Sequence, residues 1–333
     1  MKIWTLGDAV VDLMPEGMMQ YTACAGGAPV NVAVGAAQLG CDCGFIGRVG
    51  DDPFGHFLQN TLAEKGVDTQ HMQFDAVHRT STVVVSLCDN SDRSFTFLVN
   101  PSADQFLSSV NLPDFGNDIL HFCSLALVAV DCRETLVRAM DHIKQRGGIL
   151  SFDINLREQM WPDPLVMSDT VRHFARQADI LKLSEEELYW LVGTNHHEDA
   201  LSLLMEYPSG LKVVTRGING ADILWQGKFV RASAFEVESL DTTGAGDAFM
   251  AGLLASIAHG NPLDDVTQLE KAITQACACG ALATTQKGAL TALPDKQRVH
   301  QFIHAENRLS FNVPSSQLHG LNPAHPDKFN AQR

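Results

Sequence analysis

Short apolar segments alternate with segments of helical periodicity along most of this 333-residue chain. Apolar runs of strand length occur at Ile3–Leu6, Gly44–Val49, Ile119–Phe122, Ile149–Asp153, Ile180–Leu183 and Lys212–Thr215. Apolar residues at helical spacing occur at Asn31–Leu39, Phe54–Lys65, Arg133–Gln145, Phe249–Ala258 and Leu269–Thr284. Strands joined by helices pair in parallel, so the pattern predicts an α/β fold with a central, mostly parallel sheet flanked by helices. Bound ligands are then expected at the carboxyl ends of the strands.

A different pattern interrupts this alternation between residues 80 and 101. Thr80–Leu87 is rich in threonine and valine, Asp89–Asp92 is a polar turn, and Ser94–Val99 alternates phenylalanine and leucine with threonine. These features predict a β-hairpin. Because a hairpin alone needs a further surface to bury one face, we expect it to cover a binding site or to contact a second subunit.

The charge of the chain argues against some classes of partner. With 39 acidic and 24 basic residues, the formal net charge is −15. Such a chain repels nucleic-acid phosphates and anionic membranes, so we expect neither as a main partner. The sequence shows no secretory signal and no apolar stretch of membrane-spanning length, and its eight cysteines lack zinc-site spacing. We therefore expect free thiols and a cytoplasmic protein.

One segment joins a glycine-rich loop to the start of an apolar helix. Asp241–Asp247 has the sequence DTTGAGD, and the following residues, Ala248–Leu254, are small and apolar. A helix N-terminus offers unpaired N–H groups and a partial positive charge, and glycine lets an anion approach the backbone closely. Asp247 would lie in the first turn, either as a helix cap or as a base that accepts a proton from an alcohol attacking a phosphate. The spacing alone leaves both roles open.

Missing motifs narrow the class of chemistry. The sequence contains no Walker-type phosphate loop, no HRD or DFG set, and no GxGxxG motif after a strand. These absences argue against a P-loop ATPase, a protein kinase and a dinucleotide-dependent oxidoreductase.

Two segments resemble the signatures of the PfkB (ribokinase-like) family of carbohydrate kinases. Asp241–Leu254 resembles the second signature, and Ala25–Asn31, with Gly40 and Gly50 beyond it, resembles the first. The similarity extends from about Ile3 to Pro294. It is strongest toward the bacterial members that phosphorylate fructose during sucrose utilisation, in three further segments: Gly7–Asp12, Phe45–Gly55 and Lys287–Pro294.

The resemblance implies a division of the chain. A ribokinase-like domain would comprise residues 1–304, with a central mostly parallel sheet flanked by helices and a small β-sheet lid. The lid would be inserted mainly from residues 12–24 and 80–101. Residues 305–333 would form a polar, poorly ordered C-terminal tail.

The resemblance also implies an activity: ATP-dependent phosphorylation of D-fructose to fructose 6-phosphate. Asp247 would be the general base, and the amides of Gly244, Ala245 and Gly246 would form an anion hole. The implied substrate-binding residues are Asp12, Gly27, Asn31, Phe97 and Arg157. A carboxylate such as Asp12 suits a polyol because it accepts two hydroxyl donors.

A third group of residues would bind the nucleotide and ions. The implied ATP-binding residues are Asp153, Asn155, Lys182, Glu187, Thr215, Gly217 and Gly220. One departure is Ser184, which stands where many relatives carry asparagine. Mg²⁺ would be held mainly by ATP oxygens and water. A monovalent cation, K⁺, would be bound by Asp241, Thr243 and carbonyl groups near Ala283, Gln286 and Gly288.

Three other functions stay open at this point. An aminoimidazole riboside kinase or a ribokinase would share the catalytic segment and differ in the walls of the sugar site. A catalytically silent sugar-binding protein could use the same fold. An α/β binding domain whose glycines serve turns would not bind ATP. The expected partners are a small sugar and ATP, and the lid makes a homodimer an expected assembly.

Overall fold

The computed structural model describes residues 1–87, 93–260, 265–305 and 311–312. Within them the strands are β1 (Ile3–Leu6), β2 (Val10–Gly17), β3 (Gln20–Gly26), β4 (Cys43–Gly50), β5 (Val67–Asp68), β6 (Met72–Asp75), β7 (Ser81–Leu87), β8 (Arg93–Phe97), β9 (Ile119–Cys123), β10 (Ile149–Asp153), β11 (Ile180–Ser184), β12 (Leu211–Thr215), β13 (Ala221–Trp225), β14 (Lys228–Ala232) and β15 (Phe311–Asn312). The helices are α1 (Ala28–Gln38), α2 (Pro53–Glu64), α3 (Val130–Gln145), α4 (Pro164–Ala175), α5 (Glu185–Val192), α6 (His197–Met205), α7 (Ala245–Ala258), α8 (Val266–Ala283), α9 (Ala289–Ala292) and α10 (Lys296–Ala305).

Eleven of these strands form one large sheet. Its order is β15-β14-β13-β12-β11-β10-β9-β1-β4-β5, and β6 also pairs with β4. All pairings from β5 and β6 across to β12 are parallel, whereas β12 to β15 pair antiparallel. The prediction of a central, mostly parallel sheet is therefore confirmed.

Helices cover both faces of the large sheet, because its strands are apolar on both sides. In β1, Ile3 packs into the layer that contains α1, α7 and α8. Its neighbours Trp4 and Leu6 pack into the opposite layer, with α3 to α6. The α7 residues Asp247–Ile257 are all buried, so α7 is a core helix rather than an amphipathic surface helix. None of the described helices is long and apolar enough to cross a membrane.

The second sheet contains four strands in the order β3-β2-β7-β8. β2 pairs antiparallel with β3 and parallel with β7, and β7 pairs antiparallel with β8. The predicted small β-sheet is thus confirmed, although its predicted turn, Asp89–Asp92, lies outside the described residues. The predicted tail also lies outside them, apart from Ala305, which ends α10, and β15, which pairs with β14.

Local signals set several helix starts that the periodicity placed too late. α1 begins at Ala28 rather than Asn31, because Pro29 suits the first helical turn. α2 begins at Pro53, where the Asp52 carboxylate accepts a hydrogen bond from the Gly55 N–H at 2.9 Å. α7 begins at Ala245, directly after Gly244.

Candidate active site

A cavity of about 110 Å³ lies between the carboxyl edge of the large sheet and the second sheet. The second sheet contributes Val10, Asp12, Val83 and Phe97 to its wall. The facing wall contains seven further residues that the sequence predicted: Gly27, Asn31, Asn155, Arg157, Thr243, Gly244 and Asp247. All five predicted substrate-binding residues and the predicted base therefore line one cavity.

Asp247 lies in the first turn of α7 and is 8% exposed. Its Oδ2 accepts a hydrogen bond from Asn31 Nδ2 at 2.7 Å. Burial raises the pKa of Asp247 above its usual value, against the hydrogen bond from Asn31 and the charges of Lys182 and Arg157. Asp247 is thus oriented by a neighbour and faces the cavity, which a solvated helix cap would not do.

The glycine loop before α7 is shaped by backbone conformations that favour glycine. Gly244 has φ 75°, and a Cβ there would lie 2.8 Å from Ala289 Cβ. The Ala245 N–H donates to the Thr242 carbonyl oxygen at 3.2 Å. Gly246 N–H belongs to the first helical turn, whose donors have no acceptor within the helix. A Cβ at Gly246 would lie 2.9 Å from Lys182 Nζ, so an ammonium group flanks this loop.

Lys182 and Asp153 form a buried ion pair on neighbouring strands. Their residues are directly opposite in the parallel β10–β11 register. Lys182 Nζ donates to both carboxylate oxygens of Asp153, at 2.8 and 3.0 Å. Burial alone would lower the pKa of Lys182, but Asp153, with Glu187, raises it above its usual value. The ammonium is therefore held charged beside the glycine loop.

Asp12 projects from β2 over the start of α1. A side chain at Gly26 would collide with the Asp12 carboxylate, so glycine leaves the space that the carboxylate occupies. Gly27 has φ 106°, and a Cβ there would lie 2.7 Å from the Asp8 carbonyl oxygen. These two glycines let the second sheet and α1 meet at the cavity.

The segment after β10 divides its polar residues between two places. Asp153 contacts Lys182, whereas Asn155 and Arg157 line the cavity. Asn155 has φ 37°, a conformation that asparagine tolerates better than most residues. Asn155, predicted beside the phosphates with Asp153, thus lines the same cavity as the predicted substrate-binding residues.

The predicted nucleotide residue Glu187 forms a capping box with Ser184 at the start of α5. Its Oε1 accepts from the Leu156 N–H and its Oε2 from the Ser184 N–H, both at 2.7 Å. Glu187 therefore holds the loop that carries Arg157, and does not line the cavity.

The predicted nucleotide loop follows β12, one strand further along the same edge. Thr215 lies opposite Ser184 in the register, and its hydroxyl donates to the Leu183 carbonyl oxygen at 3.4 Å. Gly217 and Gly220 have φ 54° and 83° and close the turn to β13. This loop does not line the cavity, so these three predicted nucleotide-binding residues lie along the edge beside the predicted substrate-binding residues.

The five residues predicted to hold K⁺ lie on two segments that hydrogen bonds join. The Asp241 carboxylate accepts from the Thr243 N–H at 3.0 Å and from the Gly288 N–H at 2.8 Å. The Leu240 and Asp241 N–H groups donate to the Thr284 carbonyl oxygen. These bonds hold residues 240–243 against residues 283–288, the segment that contains Ala283 and Gln286.

Several cavity residues were not predicted from the sequence: Asp8, Val10, Val83, Cys123, Leu125 and Ala289. Asp8 carries a usable signal, because it is a carboxylate placed directly after β1 at the carboxyl edge. The apolar residues carry none, since any buried strand or loop presents similar side chains.

The cavity lies between a mostly parallel sheet and a small β-sheet, and it contains a buried carboxylate at the start of a helix that can bind an anion. This combination is that of a ribokinase-like sugar kinase. The sequence comparison agrees with this class. A family model described as pfkB family carbohydrate kinase matches residues 7–296. The chain belongs to this family.

Similar proteins of known name are close in sequence and structure. The fructokinases of Salmonella typhimurium and Klebsiella pneumoniae are each 50% identical, over 88% and 91% of this chain and 96% and 99% of theirs. The structure of Vibrio cholerae O395 fructokinase with fructose, ADP and a calcium ion has a TM-score of 0.85 at 46% identity, covering 90% of this chain and 98% of that one. Aminoimidazole riboside kinase from Salmonella enterica, with aminoimidazole riboside and an ATP analogue, has a TM-score of 0.84 at 37% identity, covering 91% and 99%.

Proposed function

We propose that this protein transfers the γ-phosphate of ATP to D-fructose and forms fructose 6-phosphate. The observation that carries the proposal is the Asp247 carboxylate, which Asn31 orients in a cavity that it shares with Asp12 and Arg157. The fructokinases at 50% identity support fructose as the sugar.

The chemistry follows from the positions of the groups. The Asp247 carboxylate accepts the proton of the primary hydroxyl group, and that oxygen forms a bond to the γ-phosphorus while the bond to ADP breaks. The N–H groups of Gly244 and Gly246, and Ala245 N–H if its turn bond opens, stabilise the charge on the transferring phosphate. Lys182 adds a positive charge beside Gly246.

The sugar is held by groups of complementary chemistry. Asp12 and Asn31 bind hydroxyl groups, Gly27 lets the sugar ring lie against the backbone, and Phe97 covers one face. Arg157 contacts the sugar or its phosphate through a planar donor fork. We further propose that the second sheet closes on the bound sugar and excludes water, which suppresses ATP hydrolysis.

The nucleotide occupies the neighbouring part of the edge, after β11 and β12. Lys182, Thr215, Gly217 and Gly220 contact it directly. Asp153 and Glu187 act through others, because Asp153 is paired with Lys182 and the oxygens of Glu187 accept backbone N–H groups. Asn155 lies where it reaches the transferring phosphate from the sugar side.

Two ions complete the proposal. Among the described residues, no three His, Cys, Asp or Glu side chains are grouped so as to hold a metal ion, and we propose that Mg²⁺ arrives with ATP. The segments around Asp241 and Gly288 fit a monovalent cation, because the buried Asp241 carboxylate joins them through the Thr243 and Gly288 N–H groups and adds a negative charge there. A structure of Vibrio cholerae fructokinase contains potassium with fructose and ADP, at a TM-score of 0.86 and 46% identity over 90% of this chain and 97% of that one. K⁺ there would order the glycine loop electrostatically.

Coupled ATP turnover with Mg²⁺, with and without K⁺, tests the proposal against fructose, ribose, glucose and aminoimidazole riboside. We expect kcat/KM for fructose to exceed that for each other substrate at least tenfold. Faster turnover of the riboside or ribose would assign the protein to a riboside kinase or ribokinase. Sugar binding without any turnover would instead establish a silent sugar-binding protein.

We also propose a homodimer formed through the second sheet. The two-residue turn between β2 and β3 consists of Met18 and Met19, which are 98% and 85% exposed. Both have positive φ, at 41° and 63°, a backbone conformation that disfavours methionine. An apolar contact with a second subunit would account for two exposed methionines at these positions. Leu98 at the other end of the sheet is also exposed.

Replacing this turn by Met18→Asn and Met19→Gly is expected to convert a dimer into a monomer. Asn-Gly suits two positive φ angles, so the hairpin keeps its fold while the apolar contact is lost. Sedimentation velocity measures the change. The control Val110→Asn removes a 91% exposed apolar side chain elsewhere and leaves the dimer intact. A monomeric wild-type protein, or a dimeric turn variant, would contradict the proposal.

A further inference from the structure

Asp8 is a buried carboxylate whose role the proposed mechanism leaves unassigned. It follows β1 at the carboxyl edge and lines the same cavity as Asp247. It is 6% exposed, and its Oδ1 has no hydrogen-bond partner among the described residues. A buried polar atom without a partner is rare and costly, so its presence in a cavity wall points to a ligand.

The fold holds the Asp8 carboxyl group toward the cavity. The start of α1 packs against it, since a Cβ at Gly27 would lie 2.7 Å from the Asp8 carbonyl oxygen and 3.2 Å from its Oδ2. Asn31, one turn further along α1, also has an unpartnered oxygen, Oδ1, while its Nδ2 binds Asp247. One small cavity thus contains two buried oxygen atoms, Asp8 Oδ1 and Asn31 Oδ1, that have no hydrogen-bond donor among the described residues.

The charges around Asp8 favour its neutral form. Burial and the nearby carboxylates of Asp104 and Asp247 together raise the pKa of Asp8 to about 7, although a hydrogen bond from its own backbone N–H and the charge of Arg157 act in the opposite direction. Near neutral pH the group is therefore present in both forms. The charged form accepts a hydrogen bond from a hydroxyl group, and the neutral form also donates one.

We propose that Asp8 is a further specificity-determining residue, whose Oδ1 binds a hydroxyl group of the sugar. The proposal rests on the proposed function, since it requires a polyol in this cavity. Asp12 and Asp8 would then contact different parts of the sugar: Asp12 projects from the second sheet, and Asp8 follows β1 of the large sheet.

A structural role for Asp8 makes the opposite prediction for stability. A carboxyl group that stabilises the fold through its own contacts would weaken the fold when replaced. A buried carboxyl group whose Oδ1 has no partner destabilises the ligand-free protein as it becomes charged, while the pH rises from about 4 to about 7. Asp8→Asn removes that charge, so its benefit is greatest at pH 8 and vanishes near pH 4.

The test combines Asp8→Asn and Asp8→Ala with steady-state kinetics and thermal unfolding. For Asp8→Ala we expect the KM for fructose to rise about 10- to 100-fold, the loss of a hydrogen bond to a charged group. The KM for ATP should change less than threefold. For ligand-free Asp8→Asn at pH 8 we expect Tm to be at least equal to that of the wild type, with a gain of roughly 2 °C.

Asp104→Asn is the matched control, because it also removes a carboxyl group with a buried, unpartnered Oδ1, near Asp8 but outside the cavity wall. It should leave the KM for fructose within threefold. The proposal would be overturned if Asp8→Asn had a lower Tm than the wild type and its KM values for fructose and ATP rose by the same factor.

Analogues that lack one hydroxyl group identify the contact. The analogues are 1-deoxy-, 3-deoxy- and 4-deoxy-fructose and 2,5-anhydromannitol. Asp8 binds the hydroxyl group whose removal weakens binding to the wild type but does not weaken binding to Asp8→Ala. If no analogue shows this non-additivity, Asp8 does not bind the sugar. If the wild type neither binds nor phosphorylates fructose, the proposed function fails first, whereas failure of Asp8 alone leaves wild-type turnover intact.

Discussion

Asp247→Asn is expected to lower kcat by about 10²- to 10⁴-fold, the usual contribution of a general base. Asparagine keeps the size of the side chain and an oxygen that can accept from Asn31 Nδ2, but it cannot take the proton of a hydroxyl group. The KM for sugar should change much less, because the residues that hold the sugar remain. Coupled turnover and direct titration of the sugar measure the two effects separately.

The pH dependence of turnover provides a second measurement on the same residue. Burial raises the pKa of Asp247 above its usual value, so the carboxylate is protonated at a higher pH than a solvated aspartate. A protonated carboxyl group is no base, and kcat of the wild type should therefore fall as the pH falls through that raised pKa. The residual activity of Asp247→Asn should lack this decline.

Asp265→Asn is the matched control for a helix-cap role. Asp265 is the N-cap of α8, which packs on α7, and its carboxylate accepts a hydrogen bond from the Gln268 N–H at 2.9 Å. If Asp247 were a cap and no more, the two substitutions would affect stability and turnover alike. Equal and small losses of turnover for both would contradict the assignment of Asp247 as the base.

The position of Asp247 could be predicted because it depends on local sequence. The change from a glycine-rich loop to a small, apolar helix marks the start of α7, and the base lies in its first turn. The order of strands and helices was equally accessible, since each apolar run is bounded by glycine or polar residues. The same kind of signal, Ser184 followed by Glu187, also marks the capping box of α5.

The walls of the cavity could not be predicted in this way, because they depend on long-range pairing. β2 pairs with β7, with Val10 opposite Ser81, about seventy residues along the chain. That register places Val83 beside Asp12, and Phe97 beside Val83, in one row across the second sheet, and no local pattern specifies it. Burial of Asp8 is likewise a property of the assembled sheets.

The pairing of Lys182 with Asp153 also depends on register. The two residues were predicted separately as ATP contacts, whereas the structure places them opposite each other on β10 and β11. A shift of one residue would turn either side chain to the other face of the sheet and break the pair. The sequence contains both charges but not the alignment that joins them.

Breaking the Lys182–Asp153 ion pair is expected to produce the second large effect, on both stability and turnover. Lys182→Met is expected to lower the free energy of unfolding by about 3–5 kcal/mol, because it leaves the Asp153 carboxylate buried without its partner. The two side chains are 7% and 1% exposed, so water cannot replace the ammonium. Turnover should fall by on the order of 10²-fold or more, since a positive charge beside Gly246 is also lost. Chemical denaturation and coupled turnover measure the two losses.

The double variant Asp153→Asn/Lys182→Met separates these losses. Removing both charges leaves no buried unpaired ion, so most of the lost stability should return. Turnover should stay low, because the positive charge at the glycine loop is still absent. Recovery of turnover together with stability would show that Lys182 acts through folding alone.

Lys212→Met is the control that makes the comparison specific. Lys212 is as buried as Lys182, at 7% exposed, and lies on the neighbouring strand β12, but its ammonium donates to the Ser209 carbonyl oxygen and not to a carboxylate there. Burial lowers the pKa of Lys212 to about 8, so its charged form is costly and methionine should leave stability equal or higher. Turnover should stay within twofold of the wild type. If Lys212→Met lost as much stability and turnover as Lys182→Met, burial of a lysine, rather than its pairing and its place beside Gly246, would explain both results.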